Sequence, residues 1–289
     1  MHPLVSIVIP CYRQAHYLSQ AIESALAQSY PRVEAVVVND GSDDDTDRVA
    51  ECYAGRILYI TKTNGGLPSA RNAGIRAASG KYLHFLDADD ILHQDSVATL
   101  VTAMERTGHP LGIMGFKVFS ELCPVQQAIP VMFDTLHHLL PALICGNFAP
   151  PHAFLVRKDL VVEVGMFREE LCSCEDWDLW LRLAFRGAEV LPVPIAGAYY
   201  RHTPGSMSTN RLRMLRGRTD TLLHAGRKIS ENELLLNLYG MPLYEALVQE
   251  YRRWNELAAH RPKHDSDLAA GGPDDSWSRL HGFPRRHPV

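Results

Sequence analysis

Tyr82-Leu83-His84-Phe85-Leu86-Asp87-Ala88-Asp89-Asp90 is an apolar run that breaks off into carboxylates separated by one small residue. Side chains alternate along a strand, so Asp87 and Asp89 can point the same way while Ala88 leaves room for a ligand. Oxygen ligands at the carboxyl end of a strand suit a hard divalent cation, Mg2+ or Mn2+, which bridges carboxylates to diphosphate oxygens. The same residues also fit a solvated turn in which Asp90 caps the following helix. Asp-x-Asp is a short pattern, and its neighbours decide between the two readings.

On the N-terminal side, residues 4–10 and 33–38 are continuous apolar runs, as expected of strands buried on both faces. Between them, Leu18, Ile22, Ala25 and Leu26 recur at helical spacing up to Pro31. A helix over residues 42–55, capped by Ser42 and closed by Gly55, leads to a strand over 57–61. A helix over 67–78, with Pro68 in its first turn, precedes the strand at 82–86. Strands alternating with helices predict an α/β fold, a mostly parallel Rossmann-like sheet flanked by helices, whose ligands bind beyond the carboxyl ends of the strands. Cys11-Tyr12, Asn39-Asp40 and Asp87-Asp89 all stand at such ends, which favours one small-ligand crevice over three independent turns.

The second half is less regular. A helix over 95–107, a strand over 112–119, a short helix over 136–144 interrupted by Pro141, a strand over 153–156 and a helix from Lys158 lead to Glu175-Asp176. That pair opens an amphipathic helix through Phe185, and residues 190–199 read as extended. Residues 211–259 read as helical, with Leu234, Leu235, Leu238, Leu243, Leu247 and Tyr251 as packing positions. From His260 periodicity is lost and Pro, Gly, Asp and Arg dominate, the pattern of a flexible tail.

Composition narrows the classes. At 289 residues the chain fits one large domain with appendages. Its net charge of −4 argues against a nucleic-acid partner. The six cysteines lack zinc-site spacing; Cys172 and Cys174 precede the acidic pair, yet have no matching His or Cys partners. Neither a signal peptide nor an apolar span of roughly 18 residues is present, so the expected location is cytoplasmic.

Taken in order, VSIVIPCYR, VVVNDGS, NGGLPSARNAGI, YLHFLDADD and EDWDLWLRLA resemble a family 2 glycosyltransferase of the GT-A fold, over about residues 4–205. The resemblance implies metal-dependent transfer of a sugar from a nucleotide-diphosphate donor with inversion at the anomeric carbon. The transfer would be of hexosyl or N-acetylhexosaminyl type.

Asp40 matches the acid that accepts a hydrogen bond from the base, which suits a UDP-sugar or a dTDP-sugar. Pro10 and Tyr12 match the loop around base and ribose. Gly66 lies in the loop that passes close to the ligand, and Arg71, one turn further on, matches the arginine that approaches the nucleotide. Pro68 stands where relatives often have a small residue.

Asp87 and Ala88 are assigned to the ribose side and Asp89 to direct metal coordination, assisted by Asp87 and by His202. Arg201 is a candidate for phosphate contact, and Gly205-Ser206 for a mobile lid. Asp176 is the expected base that takes the acceptor proton, with Glu175 beside it; either is also an ordinary acid at a helix start. Trp177 and Trp180 could line the acceptor cleft or belong to the core.

Expected partners are a nucleotide-sugar donor and a glycan, lipid-linked or protein acceptor. A nucleotidyltransferase would need a glycine-rich loop after the first strand, which Cys11-Tyr12-Arg13-Gln14 lacks. A binding module without turnover would not need Asp89 and Asp176. The expected organisation is a glycosyltransferase domain over 1–205, a helical extension over 206–259 and a tail over 260–289. The arginines of the extension are compatible with peripheral association at the inner membrane face, with a homodimer interface, or with a solvated face.

Overall fold

The computed structural model describes residues 2–120, 128–129, 139–203 and 206–259; the expected tail over 260–289 lies outside the described residues. Strands β1 (Val5–Cys11), β2 (Val33–Asn39), β3 (Leu58–Thr61) and β4 (Tyr82–Phe85) are joined by helices α1 (Ala15–Leu26), α2 (Thr46–Glu51) and α3 (Leu67–Ala77). After β4 come β5 (Ile91–Leu92), α4 (Ser96–Thr107), β6 (Leu111–Phe119), β7 (Ala128–Ile129), α5 (Leu139–Cys145), β8 (Phe154–Arg157) and α6 (Lys158–Glu163). The described chain closes with α7 (Glu175–Phe185), β9 (Val190–Arg201), α8 (Arg211–Ser230) and α9 (Glu233–Ala259).

These strands form one nine-stranded sheet, ordered β3-β2-β1-β4-β8-β6-β9-β5 with β7 beside β6. The β3-β2-β1-β4 half is parallel throughout. Beyond it β8 runs antiparallel to both neighbours, β6 and β9 are parallel, and β5 is antiparallel to β9. From β1 the chain winds out to β2 and β3, then returns to β4 on the other side. The strand order thus reverses at β1/β4, where loops separate and leave a crevice.

Alternation along β1 explains its unbroken apolarity. Val5, Ile7 and Ile9 enter the core under α1 and α4, while Val8 enters the core under α3 and α7. Gly74 lets α3 approach closely, since a Cβ there would stand 2.3 Å from Val8 Cγ1.

Several expectations need correction. The helix expected over 42–55 shrinks to Thr46–Glu51, because Asp44, not Ser42, accepts from the Thr46 backbone N–H at 3.1 Å. Ser42 instead accepts from Arg13 N–H at 3.0 Å. Helix α5 continues past Pro141 to Cys145, and the start of the helix expected from 136 lies outside the described residues. Residues 211–259 form two helices, broken after Ser230. Of the expected packing positions, Leu243 and Leu247 are buried, whereas Leu234, Leu238 and Tyr251 face outward.

Candidate active site

The turn after β4 is held by partners far away in sequence. Asp87 Oδ1 accepts from Arg71 Nη2 at 2.6 Å. Asp90 is buried; its Oδ1 accepts from the Arg201 backbone N–H at 2.7 Å, and its Oδ2 faces His152 Nδ1 at 3.1 Å. Asp90 therefore braces the turn and does not cap α4, which begins six residues later.

Arg201, the candidate for phosphate contact, is tied into the same turn. Its Nε donates to the Asp89 carbonyl at 2.7 Å and its Nη2 to Gln20 Oε1 at 2.7 Å, with the guanidinium between the Tyr17 and Phe119 rings.

Asp89 carries the unbalanced charge. Burial, reinforced by the neighbouring Asp87 carboxylate, pushes its carboxyl up to about 6. The Arg201 guanidinium and a hydrogen bond from Gln14 offset only part of this, so an ionised Asp89 is under-compensated, and a hard oxygen-seeking cation would supply the rest. His202 does not join it: the ring is exposed, and the residue is fixed by its backbone N–H donating to the Phe119 carbonyl at 2.8 Å. Among the described residues no group of three or more His, Cys, Asp or Glu side chains is gathered closely enough to hold a metal. Cys174 is no soft ligand either, since burial pushes its thiol up to about 12, and Cys172 Sγ donates to the Arg213 carbonyl.

At the end of β2, Asp40 organises the β3–α3 loop. Its Oδ1 accepts from Lys62 Nζ at 2.6 Å and Gly65 N–H at 3.0 Å, and its Oδ2 from Gly66 N–H at 2.8 Å. Gly66 adopts φ +86°, a left-handed conformation that brings both amides onto the carboxylate. The turn after Asp40 is held by Asn39, whose Oδ1 accepts from Ser42 N–H at 2.8 Å. Pro10 is buried, and Tyr12 is 42% exposed with the Arg13 guanidinium over its ring.

Arg71 joins the two halves of the site. Its side chain is 1% exposed, with Nη2 on Asp87, Nη1 on Glu175 at 2.5 Å and the guanidinium over Phe167. Its fork thus spans two carboxylates from separate elements. The opposing charges outweigh the cost of burying Arg71 and raise its pKa further. Glu175 and Asp176 are both raised by burial, with Arg71 opposing the shift.

Asp176 borders a cavity of about 360 Å³ together with Asp87, Arg71, Phe148, Tyr200 and Met207. Its Oδ1 accepts from the Trp177 N–H at 2.7 Å and its Oδ2 from Asn147 Nδ2 at 2.9 Å. Trp177 forms part of the wall, with Nε1 donating to the Leu143 carbonyl at 2.7 Å, whereas Trp180 is fully buried and stacked on Phe154. Sequence reasoning missed Asp44, Lys62, Asn147 and His152. Lys62 and Asn147 stand in loops without periodicity, and nothing local marks which carboxylate each will meet.

The expected donor residues Pro10, Tyr12, Asp40, Gly66, Asp87, Ala88 and Asp89 all lie at or just beyond the carboxyl ends of β1, β2 and β4 or in the loop that Asp40 holds. Arg71 and Glu175 carry that group across to Asp176. Residues 6–122 match the family model described as glycosyl transferase family 2. A Rickettsia prowazekii protein described as an uncharacterized glycosyltransferase is 35% identical over 62% of this chain, which spans 58% of that relative's length. Among solved structures, S. aureus TarS 1-349 in complex with UDP-GlcNAc aligns with a TM-score of 0.73 at 21% identity, covering 92% of this chain and 77% of that one. A mannosyltransferase from Pyrobaculum calidifontis in complex with GDP-Man and Mn2+ aligns with a TM-score of 0.63 at 18% identity, covering 97% and 84%. The ordered motifs and the family match agree that residues 6–122 belong to glycosyl transferase family 2, and the shared framework shows the GT-A fold.

Proposed function

We propose that the protein transfers a hexosyl or N-acetylhexosaminyl group from a UDP-sugar to an acceptor hydroxyl, with inversion at the anomeric carbon. The observation that carries this reading is the continuous line Asp87–Arg71–Glu175 next to Asp176, which runs from the donor crevice along the wall of the cavity that Asp176 borders.

On the donor side, a carboxylate offers about four lone-pair positions and Asp40 uses three, leaving one for a pyrimidine N–H. The UDP-GlcNAc bound by the TarS neighbour supports that choice of donor. Asp87 and Asp89 fit a divalent cation by their oxygen chemistry and by the unbalanced charge at Asp89, and the Mn2+ of the mannosyltransferase neighbour supports its use. Bound there, such an ion supplies Lewis-acid stabilisation of the charge on the departing diphosphate.

Asp176 is the base. Asn147 and the Trp177 N–H fix both carboxylate oxygens in orientation, and burial raises its affinity for the acceptor's proton. Attack from this side, opposite the donor crevice, displaces the diphosphate in one step and inverts the anomeric carbon. Glu175, paired with Arg71, holds the start of α7 in place beside the base. The acceptor is a hydroxyl on a glycan, a lipid-linked sugar or a protein.

Domain limits of 1–205 and 206–259 follow from this reading, since the donor and base residues all fall in the first part. No helix among the described residues is long and apolar enough to cross a membrane, and we place the reaction at the cytoplasmic face. The test is a panel of nucleotide sugars scored for Mn2+-dependent thermal stabilisation, followed by transfer assays with the hits. Stabilisation by UDP-sugars that survives Asp176→Asn, together with loss of transfer, is the expected pattern. No stabilisation by any nucleotide sugar defeats the proposal.

A further inference from the structure

Beside the catalytic cavity lies a second one, of about 530 Å³, between α8 and α9. The two share Ser208, Met214 and Arg218, so one wall separates Asp176 from the new space. The second cavity is lined by three arginines, Arg211, Arg218 and Arg253, against two acids, Glu250 and Glu256.

Glu250 is 3% exposed, and its Oε1 receives Arg218 Nε at 3.0 Å, Arg218 Nη2 at 2.9 Å and Arg253 Nη1. Its Oε2 is buried without a hydrogen-bond partner. Two guanidiniums are thus held side by side by a single carboxylate oxygen, keeping N–H donors of their own, while an acceptor oxygen beside them has no donor.

Resting on the glycosyl-transfer reading above, we infer that the acceptor cleft continues past Arg218 into this space, which takes the phosphate group of a phosphorylated sugar acceptor. The paired guanidiniums match phosphate oxygens in fork geometry. Glu250 Oε2 accepts from a ring hydroxyl of the same acceptor, which removes the cost of leaving that oxygen unpaired. The space is too large for a bare anion and suits a sugar phosphate. Apolar Met214, Leu215 and Leu257 flank the remainder.

The test uses the full chain with saturating UDP and Mn2+, so that the donor crevice is occupied. Calorimetric titration with N-acetylglucosamine 1-phosphate and with N-acetylglucosamine should show the phosphate form binding about 10-fold tighter or more, the worth of charge-assisted hydrogen bonds. Arg253→Gln and Arg211→Gln should each narrow that preference several-fold. Arg211 makes no ion pair among the described residues, so its replacement keeps the test open if Arg253→Gln disturbs folding.

Presenting the same sugar phosphate on an alkyl chain in neutral phosphatidylcholine vesicles separates the sources. Tighter binding there identifies a lipid-linked acceptor, and tighter binding in water a free one; both satisfy the proposal. Equal affinity for the two sugars, or a preference unchanged in both variants, overturns it. So does arginine-dependent binding to phosphatidylglycerol vesicles without sugar discrimination, which would assign these side chains to a membrane surface. Loss of UDP binding itself in the wild-type protein would instead sink the transfer reading, and it is read out in the same titrations.

Discussion

Replacing Asp89 by Asn should make the metal-free protein more stable. In the folded chain the Asp89 carboxyl is pushed up to about 6, against roughly 4 for a free aspartate. Each pKa unit is worth about 1.4 kcal/mol, so holding Asp89 ionised in the fold costs about 3 kcal/mol above pH 7. The side chain is partly exposed, and solvent screening reduces the expected gain to about 2 kcal/mol.

A carboxyl with a raised folded pKa favours the fold while protonated, and that advantage is lost as pH rises from about 4 through about 6. The gain in the Asn variant should therefore be full at pH 7.5 and vanish near pH 4. In EDTA the melting temperature should rise by about 4 °C at pH 7.5. With Mn2+ and UDP the order reverses, because only the wild-type protein gains from the ion, and that gain should grow with pH through 6. The reasoning fails if Asp89→Asn is no more stable than wild type in EDTA at pH 7.5, or if Mn2+ stabilises both proteins equally.

Other consequences concern the rest of the site. Arg71→Gln strands Asp87 and Glu175 without their shared cation, and urea unfolding should show a loss of about 3–5 kcal/mol, partly recovered by adding Glu175→Gln; a loss below about 1 kcal/mol contradicts the bridging role. Asp176→Asn should lower kcat by about 10²- to 10⁴-fold with donor binding intact. Because burial raises Asp176, the acid limb of the wild-type pH–rate profile should lie above the ordinary carboxylate range, activity being lost as pH falls through it. Gly74→Ala forces a methyl against Val8 Cγ1 and should cost about 1–3 kcal/mol of stability, measurable as a lowered melting temperature.

The parallel half of the sheet was legible in the chain because its signals are local. Strands β1, β2 and β4 are apolar runs ended by polar residues, and the helices between them carry 3.6-residue periodicity, so their edges fall within a few residues of those expected. Helix α2 was misjudged because Asp44, two residues beyond Ser42, bonds the helix start and also accepts from Ala15 N–H at 2.9 Å, a contact between separate segments. The mixed half, β8-β6-β9-β5, depends on pairings between strands distant in the chain that carry no mark of their direction.

Sequence alone determined which residue types stand at the strand ends, because a buried parallel strand must stop where its side chains turn polar, and Asp40, Asp87 and Asp89 stand at those stops. Tertiary structure alone decided what each of them meets. Arg71 finds Glu175 104 positions away, and Arg201 finds the Asp89 carbonyl 112 positions away, contacts that brace the site and that no local pattern announces. The physical reason is that a buried charge is tolerable only beside its opposite, and which opposite lies within reach is set by the packing of distant elements rather than by any local pattern.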